Sequence, residues 1–257
     1  MNTKRVGFIG GGRIARVFLG GWQRAGILPG KIVVFDANDD VVTKLKSRHP
    51  VIEVGTAAEA AAQDIVFLAV HPPVVGSVVP EMKPALKPEA VLVSLAPKFT
   101  IAKLSEMLGG FQRIARVIPN APSIVGMGYN PTAFGKALGG QERTALCDLL
   151  GGLGDCVEVP EEQLEAYAVV TAMGLTFLWP QLDLLAELAK NAGVSNGAAW
   201  DGIEKMLIGA VAALRDSGLS AKEVQDLIPV KPVDDEAKAF VDAARPKLEG
   251  LLAKLRP

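Results

Sequence analysis

The sequence predicts two domains, an α/β domain over residues 1–160 and an all-α domain over residues 161–257. Three observations support this. Short apolar runs alternate with helical patterns as far as about residue 118, a glycine-rich turn follows the first run, and almost no strand signal occurs after Pro160. Strands that alternate with helices form a parallel sheet, and right-handed crossovers make it doubly wound. Ligands of such a sheet bind beyond the carboxyl ends of its strands.

The first domain is built from six predicted strands and the helices between them. The strands are short apolar runs of the kind buried in parallel sheets, and the helices carry apolar residues at helical spacing, as Val17, Phe18 and Trp22 do in the first. We predict strands at 5–10, 31–36, 51–54, 64–70, 90–94 and 113–118, and helices at 13–25, 39–48, from Thr56 over TAAEAAAQ, from Pro72 to about 86, and at 101–108.

The second domain is predicted to be helical throughout. We expect helices over 163–192, interrupted at Gly174 and Pro180, and over 197–217, 221–227 and 234–255. These segments are apolar nearly all round, which is typical of buried helices. About 95 residues cannot bury that much surface alone, so we expect these helices to dock on a second copy, in a homodimer or a higher homo-oligomer.

Composition and charge exclude several classes of function. With 49% hydrophobic and 21% charged residues, the 257-residue chain can bury a large core. A net charge of −1 provides no basic field for nucleic acid. No apolar run is read as long enough to span a membrane, and no export signal precedes the first strand, so we expect a cytoplasmic protein. Cys147 and Cys156 lack metal-like spacing and are expected to be reduced thiols, and no metal is expected.

The glycine-rich turn predicts a dinucleotide site for NAD or NADP. Gly10-x-Gly12-x-x-Ala15 has the required spacing. Gly10 permits the tight turn, Gly12 lets a pyrophosphate approach the backbone, and Ala15 lets the helix pack on the strand. The helix then offers free N–H groups and its positive dipole end to the phosphates. We expect Gly11, Arg13 and Ile14 to complete this cradle.

Asp36 bears on the choice between the two dinucleotides. It ends the second predicted strand. An acid at this position hydrogen-bonds the ribose hydroxyls of NAD and repels the 2′-phosphate of NADP. Asp36 therefore favours NAD slightly, while the neighbouring Asn38 leaves NADP open.

Four blocks occur in an order that resembles one family. They are GFIGGGRIA (7–15), LAVHPP (68–73), VSLAPKFTIAKL (93–104) and RVIPNAPSIVGMG (116–128). They resemble the signatures of pyrroline-5-carboxylate reductases, closely over 5–160 and more loosely after that. The resemblance implies a Rossmann domain followed by a helical dimerisation domain, and hydride transfer from NAD(P)H to a cyclic imine in the last step of proline biosynthesis.

The resemblance also implies site residues. Asn120 would lie beside the nicotinamide and orient the ring or a water, although an Asx turn that only shapes the loop is the alternative. Ser94 and Ala96 would lie near the nicotinamide ribose, or are small for close packing alone. His71 would line the cofactor chiefly through its backbone, and as an alternative would protonate an imine nitrogen. The remaining cofactor residues on this edge are Ala69, Val70 and Pro72.

The chain departs from this family where the substrate would bind. The family's serine- and glycine-rich stretch is replaced by 174–179, and its Ser-Pro-Gly-Gly-Thr-Thr loop by 228–232, whose two prolines have no N–H to donate. Thr171 and Lys231 are the candidates for substrate contact. A hydrogen bond within its own helix is the alternative for Thr171, and solvation is the alternative for Lys231.

These observations together predict an NAD(P)H-dependent oxidoreductase acting on a CH–NH group of a small molecule. Two alternatives stay open. One is a related reductase with another substrate or a deazaflavin cofactor, and the other is a dinucleotide-binding sensor or scaffold without turnover.

Overall fold

The structure, a computed structural model, describes residues 2–256. Its strands form one eight-stranded sheet in the order β3-β2-β1-β4-β5-β6-β7-β8. All neighbouring strands are parallel except β6 and β7. The strands are β1 Asn2–Ile9, β2 Pro29–Phe35, β3 Glu53–Val54, β4 Ile65–Leu68, β5 Val91–Ser94, β6 Ile114–Val117, β7 Gly128–Phe134 and β8 Gly154–Glu158.

Helices connect these strands and continue after the last one. They are α1 Arg13–Ala25, α2 Asp39–Arg48, α3 Ala57–Ala61, α4 Pro72–Met82, α5 Ile101–Met107, α6 Gly140–Gly151, α7 Leu164–Tyr167, α8 Leu175–Asn191, α9 Asn196–Asp216, α10 Ala221–Asp226 and α11 Asp234–Leu255, with a π-helix at Ala168–Met173. The predicted fold class, a doubly wound sheet followed by helices, is confirmed.

The core lies on both faces of the sheet. One face carries an aromatic cluster in which Phe8 stacks on Phe67 with ring centroids 4.9 Å apart, while Phe18 and Trp22 meet them at steeper angles. The indole N–H of Trp22 donates to the carbonyl of Leu149, 2.8 Å away. Such rings bury large apolar areas, so the packing of α1 on β1 and β4 is well fixed.

The helix predicted to start at Thr56 has a well-defined N-terminal cap. Thr56 caps α3 in a full capping box, since its hydroxyl accepts the N–H of Glu59 while the Glu59 carboxylate accepts the N–H of Thr56. The boundaries of α1, α2 and α11 match the predicted ranges.

The region after residue 118 contains elements that the sequence did not predict in detail. β7 returns antiparallel to β6, α6 follows, and β8 pairs parallel with β7. β7 has Pro131 at its centre and buries the polar residues Asn130 and Thr132, so it lacks the apolar run by which the six predicted strands were recognised. The Asn130 side-chain oxygen accepts the hydroxyl of Ser123, 2.9 Å away.

The described chain divides into two compact units, residues 2–172 with 251–256, and residues 173–250. The first unit extends past the predicted boundary at residue 160. Glu161 and Glu165 pair with Arg116 of β6, at 3.0 and 2.5 Å, and bind α7 and the turn before it to the sheet.

In the second unit, α8 and α9 pack side by side, and Phe177 contacts Phe240 with ring centroids 5.8 Å apart. α8 has no buried residue. Many large apolar side chains of this unit are exposed, among them Trp179, Leu184, Leu188, Ile208, Val211, Leu214, Ile228 and Val230.

Two expectations about the long helical run are wrong. Pro180 lies inside α8 and does not end it. Glu161–Asn191 is long and apolar enough to span a membrane by length and composition, although none was expected; 17% of its most apolar window is buried. The expected interruption at Gly174 is present, since the π-helix ends at Met173 and α8 begins at Leu175.

The environments of one histidine and of the cysteines also bear on the sequence analysis. His49 is 8% exposed, and its Nδ1 lies 3.1 Å from Oε1 of Gln23. Cys147 and Cys156 are free and half-buried. Burial, reinforced by Cys156, raises the pKa of Cys147 to about 12, so its thiol stays protonated.

Candidate functional site

The glycine turn after β1 leaves open space for a ligand. Gly10 has a φ of +108°, and a Cβ there would lie 2.6 Å from the carbonyl oxygen of Ala69, so glycine is required. Its N–H donates to the carbonyl of Phe35. Gly12 caps α1 without any side chain, and a Cβ at Gly12 would meet no atom within 4 Å. The cradle therefore fits a phosphate group at the free N–H groups of α1.

Asp36 is tied to this turn. Its Oδ2 accepts the N–H of Gly11 at 2.9 Å, and its Oδ1 accepts the N–H of Asn38 at 3.0 Å. The half-buried carboxylate thus lies at the end of β2, beside the glycine turn, where the acid of a dinucleotide site is expected. Gly11 and Asp36, two of the predicted cofactor residues, are directly in contact.

A cationic cavity opens beside the same turn. It has a volume of about 320 Å³ and is lined by Gly11, Gly12, Arg13, Arg16, Val41, Lys44, Leu45 and Arg48. None of its four cations forms an ion pair within the part of the chain that the structure describes. Unpaired cations next to free N–H groups attract phosphates. Of these four cations, only Arg13 was predicted from the sequence; the helical spacing of Lys44 and Arg48 in α2 was the available signal.

The turns after β4 and β5 lie at the same edge of the sheet. The N–H of Ala69 donates to the carbonyl of Ile9, and Val70 is half-buried. His71 is exposed and caps α4 without a side-chain hydrogen bond, and Pro72 is the first residue of that helix.

The predicted residues after β5 are closely packed. Ser94 and Ala96 are each 1% exposed, and the Ser94 hydroxyl lies 3.4 Å from the N–H of Ala96. Lys98, two residues further on, is exposed and has a φ of 72°, which costs a non-glycine residue conformational energy. Its N–H donates to Oε1 of Glu165.

Asn120 and Thr171 are brought together. Nδ2 of Asn120 donates to the carbonyl of Thr171 at 3.1 Å, and Oδ1 of Asn120 accepts the N–H of Tyr129 at 3.1 Å. The hydroxyl of Thr171 donates to the carbonyl of Tyr167, one helical turn earlier. Both side chains therefore hold the backbone of this region, and one N–H of the Asn120 amide stays available to a ligand.

A buried ion pair underlies this edge. Arg116 is 1% exposed and Glu165 is 2% exposed, with their charged atoms 2.5 Å apart. Glu161 accepts from both Arg116 and the N–H of Ile101, the first residue of α5. Sequence reasoning missed this pair, although an arginine within the apolar run of β6 was a signal that a buried acid would face it.

Two tyrosines, the only two in the chain, meet beside Asn120. The rings of Tyr129 and Tyr167 have centroids 5.8 Å apart. Burial, followed by the proximity of Tyr167, raises the pKa of Tyr129 above its ordinary value. This pair was not predicted from the sequence, because the two residues are far apart in the chain and belong to different elements.

In the second unit, Lys231 lies in the exposed loop after α10. Its Nζ is 4.0 Å from Oδ1 of Asp226, a weak and solvated pairing. The contact that we predict between Lys231 and a substrate carboxylate stays a prediction.

Comparisons with known proteins agree on the kind of fold and on a set of relatives. A family model described as NADP oxidoreductase coenzyme F420-dependent matches residues 5–98. Pyrroline-5-carboxylate reductase 3 of Bos taurus is 31% identical over 221 residues, which cover 84% of this chain and 70% of that protein. The pyrroline-5-carboxylate reductase of Corynebacterium melassecola is 26% identical, with 86% and 83% covered.

Solved structures extend the similarity over the whole chain. The crystal structure of Plasmodium falciparum pyrroline carboxylate reductase with NADP bound superimposes with a TM-score of 0.79 at 21% identity, covering 100% of this chain and 98% of that one. A pyrroline-5-carboxylate reductase of Coxiella burnetii gives 0.68 at 24% identity, with 99% and 95% covered. At these identities the structures support the fold.

Proposed function

Because the chain belongs to the pyrroline-5-carboxylate reductase family, we propose that it reduces a cyclic imine, 1-pyrroline-5-carboxylate or a close relative, with NAD(P)H. The observation that carries this proposal is the cradle at Gly12, where a Cβ would meet no atom within 4 Å, with Asp36 fixed beside it. A dinucleotide supplies a hydride from the nicotinamide C4 when it is bound in such a cradle.

The chain's own residues bind the dinucleotide and orient the substrate. Gly10–Gly12 and the first N–H groups of α1 hold the pyrophosphate, with Arg13, Ile14 and Ala15 completing the turn. Ala69–Pro72 line the path of the cofactor, and Ser94, Ala96 and Asn120 surround the nicotinamide end. Holding the acceptor carbon close to the hydride donor lowers the entropic part of the barrier, so much of the rate enhancement comes from orientation.

We propose that both dinucleotides bind and that NADH is the better substrate. The Asp36 carboxylate accepts ribose hydroxyls and repels a 2′-phosphate. NADPH is the second candidate, favoured by the four unpaired cations of the cavity next to Gly11 and Gly12. The ratio of kcat/KM for NADH and NADPH, measured for the wild type and for Asp36→Asn, decides between them: Asp36→Asn is expected to lower the ratio.

Asn120 and Thr171 are proposed to shape the acceptor side of the site. Their hydrogen bond fixes the π-helical segment against the loop after β6. π-helical turns recur at functional sites. Lys231 is proposed to attract the carboxylate of the substrate, since its nearest acid is 4.0 Å away and does not neutralise it fully.

We further propose a homodimer, or an oligomer built from it, through the C-terminal helices. α8 buries none of its residues within the chain, although its sequence is apolar. Exposed apolar area on that scale is typical of a protein interface. The same interface accounts for the membrane-like composition of Glu161–Asn191, and we propose a cytoplasmic protein. Sedimentation equilibrium should give at least twice the chain mass of 27.0 kDa.

Turnover tests the function directly. Purified protein is mixed with NADH or NADPH and with 1-pyrroline-5-carboxylate, other cyclic imines or 2-oxo acids, while cofactor oxidation is followed by absorbance. Oxidation with a cyclic imine is the expected result. Tight nucleotide binding without oxidation of any compound would instead favour a sensor. Reduced deazaflavin with NADP is the additional arm, because the matched family model names that coenzyme.

A further inference from the structure

We propose that the phenol pair Tyr129–Tyr167 is the proton donor to the imine nitrogen. This inference rests on the proposed function, which does not specify the source of that proton.

Tyr129 lies near the start of β7, at one edge of the sheet. β7 runs antiparallel to β6 and begins beyond the carboxyl end of that strand, since Val117 at the end of β6 faces Thr132 within β7. Tyr129 is the second residue of β7 and therefore lies at the edge where the parallel strands end. Its N–H is bonded to Asn120. The ligand crevice of a doubly wound sheet lies at this edge.

Tyr167 is the last residue of α7, and its carbonyl accepts the hydroxyl of Thr171. Thr171 in turn accepts the amide of Asn120. A continuous set of hydrogen bonds thus connects Tyr167, Thr171, Asn120 and Tyr129. This set ties the backbones of the two tyrosines, whose rings have centroids 5.8 Å apart.

The phenol of Tyr129 is protonated at neutral pH. Both tyrosines are half-buried residues, so each keeps part of its surface accessible. Burial, Tyr167 and, least, Asp155 raise the pKa of Tyr129, so its phenol keeps its proton at neutral pH. A neutral phenol can donate its O–H proton, and a second phenol close to it can pass a replacement proton to it.

The reaction balances with these groups. The hydride of the dihydronicotinamide forms a C–H bond at the imine carbon, and the C=N π electrons take the proton of a phenol O–H to form an N–H bond. The products are a secondary amine, the oxidised cofactor and a phenolate, which regains a proton from water through the second phenol. No further oxidant or reductant is needed.

Phenylalanine substitutions test the donor role. Tyr129→Phe and Tyr167→Phe should each lower kcat for the imine. The double variant should lower it about 100-fold or more, as expected for loss of general acid catalysis. Ser77→Ala, which removes an exposed hydroxyl of α4, is the matched control and should not change kcat. Circular dichroism and NADH titration establish that each variant folds and binds cofactor.

An N-methyl iminium substrate separates proton donation from structure, because its nitrogen needs no proton on reduction. The double variant should reduce 1-methyl-1-pyrrolinium at the wild-type rate, and acidifying the solution should restore part of its rate with the imine. Equal losses with both substrates, or an undiminished rate with the imine, would overturn the proposal. Failure of the wild type to reduce either substrate would instead contradict the proposed function.

Discussion

The side-chain amide of Asn120 joins three segments of the first unit. It donates to the carbonyl of Thr171 and accepts the N–H of Tyr129, each at 3.1 Å, and it is 7% exposed. The loop after β6, the start of β7 and the π-helix therefore keep their relative positions through one residue. The block RVIPNAP thus has a structural role here as well as the proposed role beside the nicotinamide.

Replacing Asn120 tests the structural part of this role. Asn120→Ala leaves the N–H of Tyr129 and the carbonyl of Thr171 unpaired in a buried place, so the free energy of unfolding should fall by about 1–3 kcal/mol. Denaturant unfolding measures it. Asn120→Asp keeps an acceptor for Tyr129 but places a carboxylate oxygen against the carbonyl of Thr171, so its free energy of unfolding should fall at least as far as that of Asn120→Ala. A variant as stable as the wild type would contradict the role.

The buried pair of Arg116 and Glu165 should be costly to break. Arg116→Met leaves the carboxylate of Glu165 without its partner, which should lower the free energy of unfolding by about 3–5 kcal/mol. Arg116→Met combined with Glu165→Leu removes both charges and should recover much of that loss. The exposed pair of Arg215 and Asp216 provides the control, since Arg215→Met should have no measurable effect. Equal losses of stability in Arg116→Met and Arg215→Met would contradict the expected difference between the buried and the exposed ion pair.

His49 should make stability depend on pH. Burial, followed by Arg48 and Arg16, lowers the pKa of His49 below its ordinary value of 6.5. The unfolded chain therefore binds this proton at a higher pH than the folded chain does. The contribution to stability is complete above pH 6.5 and is lost as the pH falls below it. His49→Gln, which retains a donor toward Gln23, should flatten the decline in Tm between pH 7 and pH 5 (about the range in which histidine titrates); an unchanged slope would refute the assignment.

Gly12 and Gly76 form a matched pair for the cofactor site. A Cβ at either position meets no atom within 4 Å, so Gly12→Ala and Gly76→Ala should both fold. Gly12→Ala places its methyl group where the pyrophosphate approaches, and NADH affinity should fall at least about tenfold. Gly76→Ala, inside α4, should bind NADH normally and gain up to about 1 kcal/mol of stability. Titration of NADH fluorescence measures both, and unchanged affinity in Gly12→Ala would place the cofactor elsewhere.

Local features of the fold were predictable from the sequence, and features that depend on distant residues were not. The glycine turn, the box formed by Thr56 and Glu59 and the ends of α1 and α2 follow from neighbouring residues. β7 was missed because its burial is provided by polar side chains with partners elsewhere, as Asn130 shows with Ser123.

The same limit applied to the site. The cofactor cradle could be predicted because its chemistry is contained in one short motif with Asp36 at the next strand end. Burial of His49 against Gln23, the pairing of Arg116 with Glu165 and the contact of Tyr129 with Tyr167 join residues from different elements. Their pairing is decided by how β6, β7 and α7 come together, which the pattern of single segments does not specify.

Hydride transfer by this chain is tested most directly with NADH deuterated at the transferable C4 position. The protein is incubated with this cofactor and 1-pyrroline-5-carboxylate, and the product is analysed by mass spectrometry and NMR. The expected product is proline with one deuterium on the carbon that was double-bonded to nitrogen. Deuterium remaining on the cofactor, or proline without the label, would contradict hydride transfer by this chain.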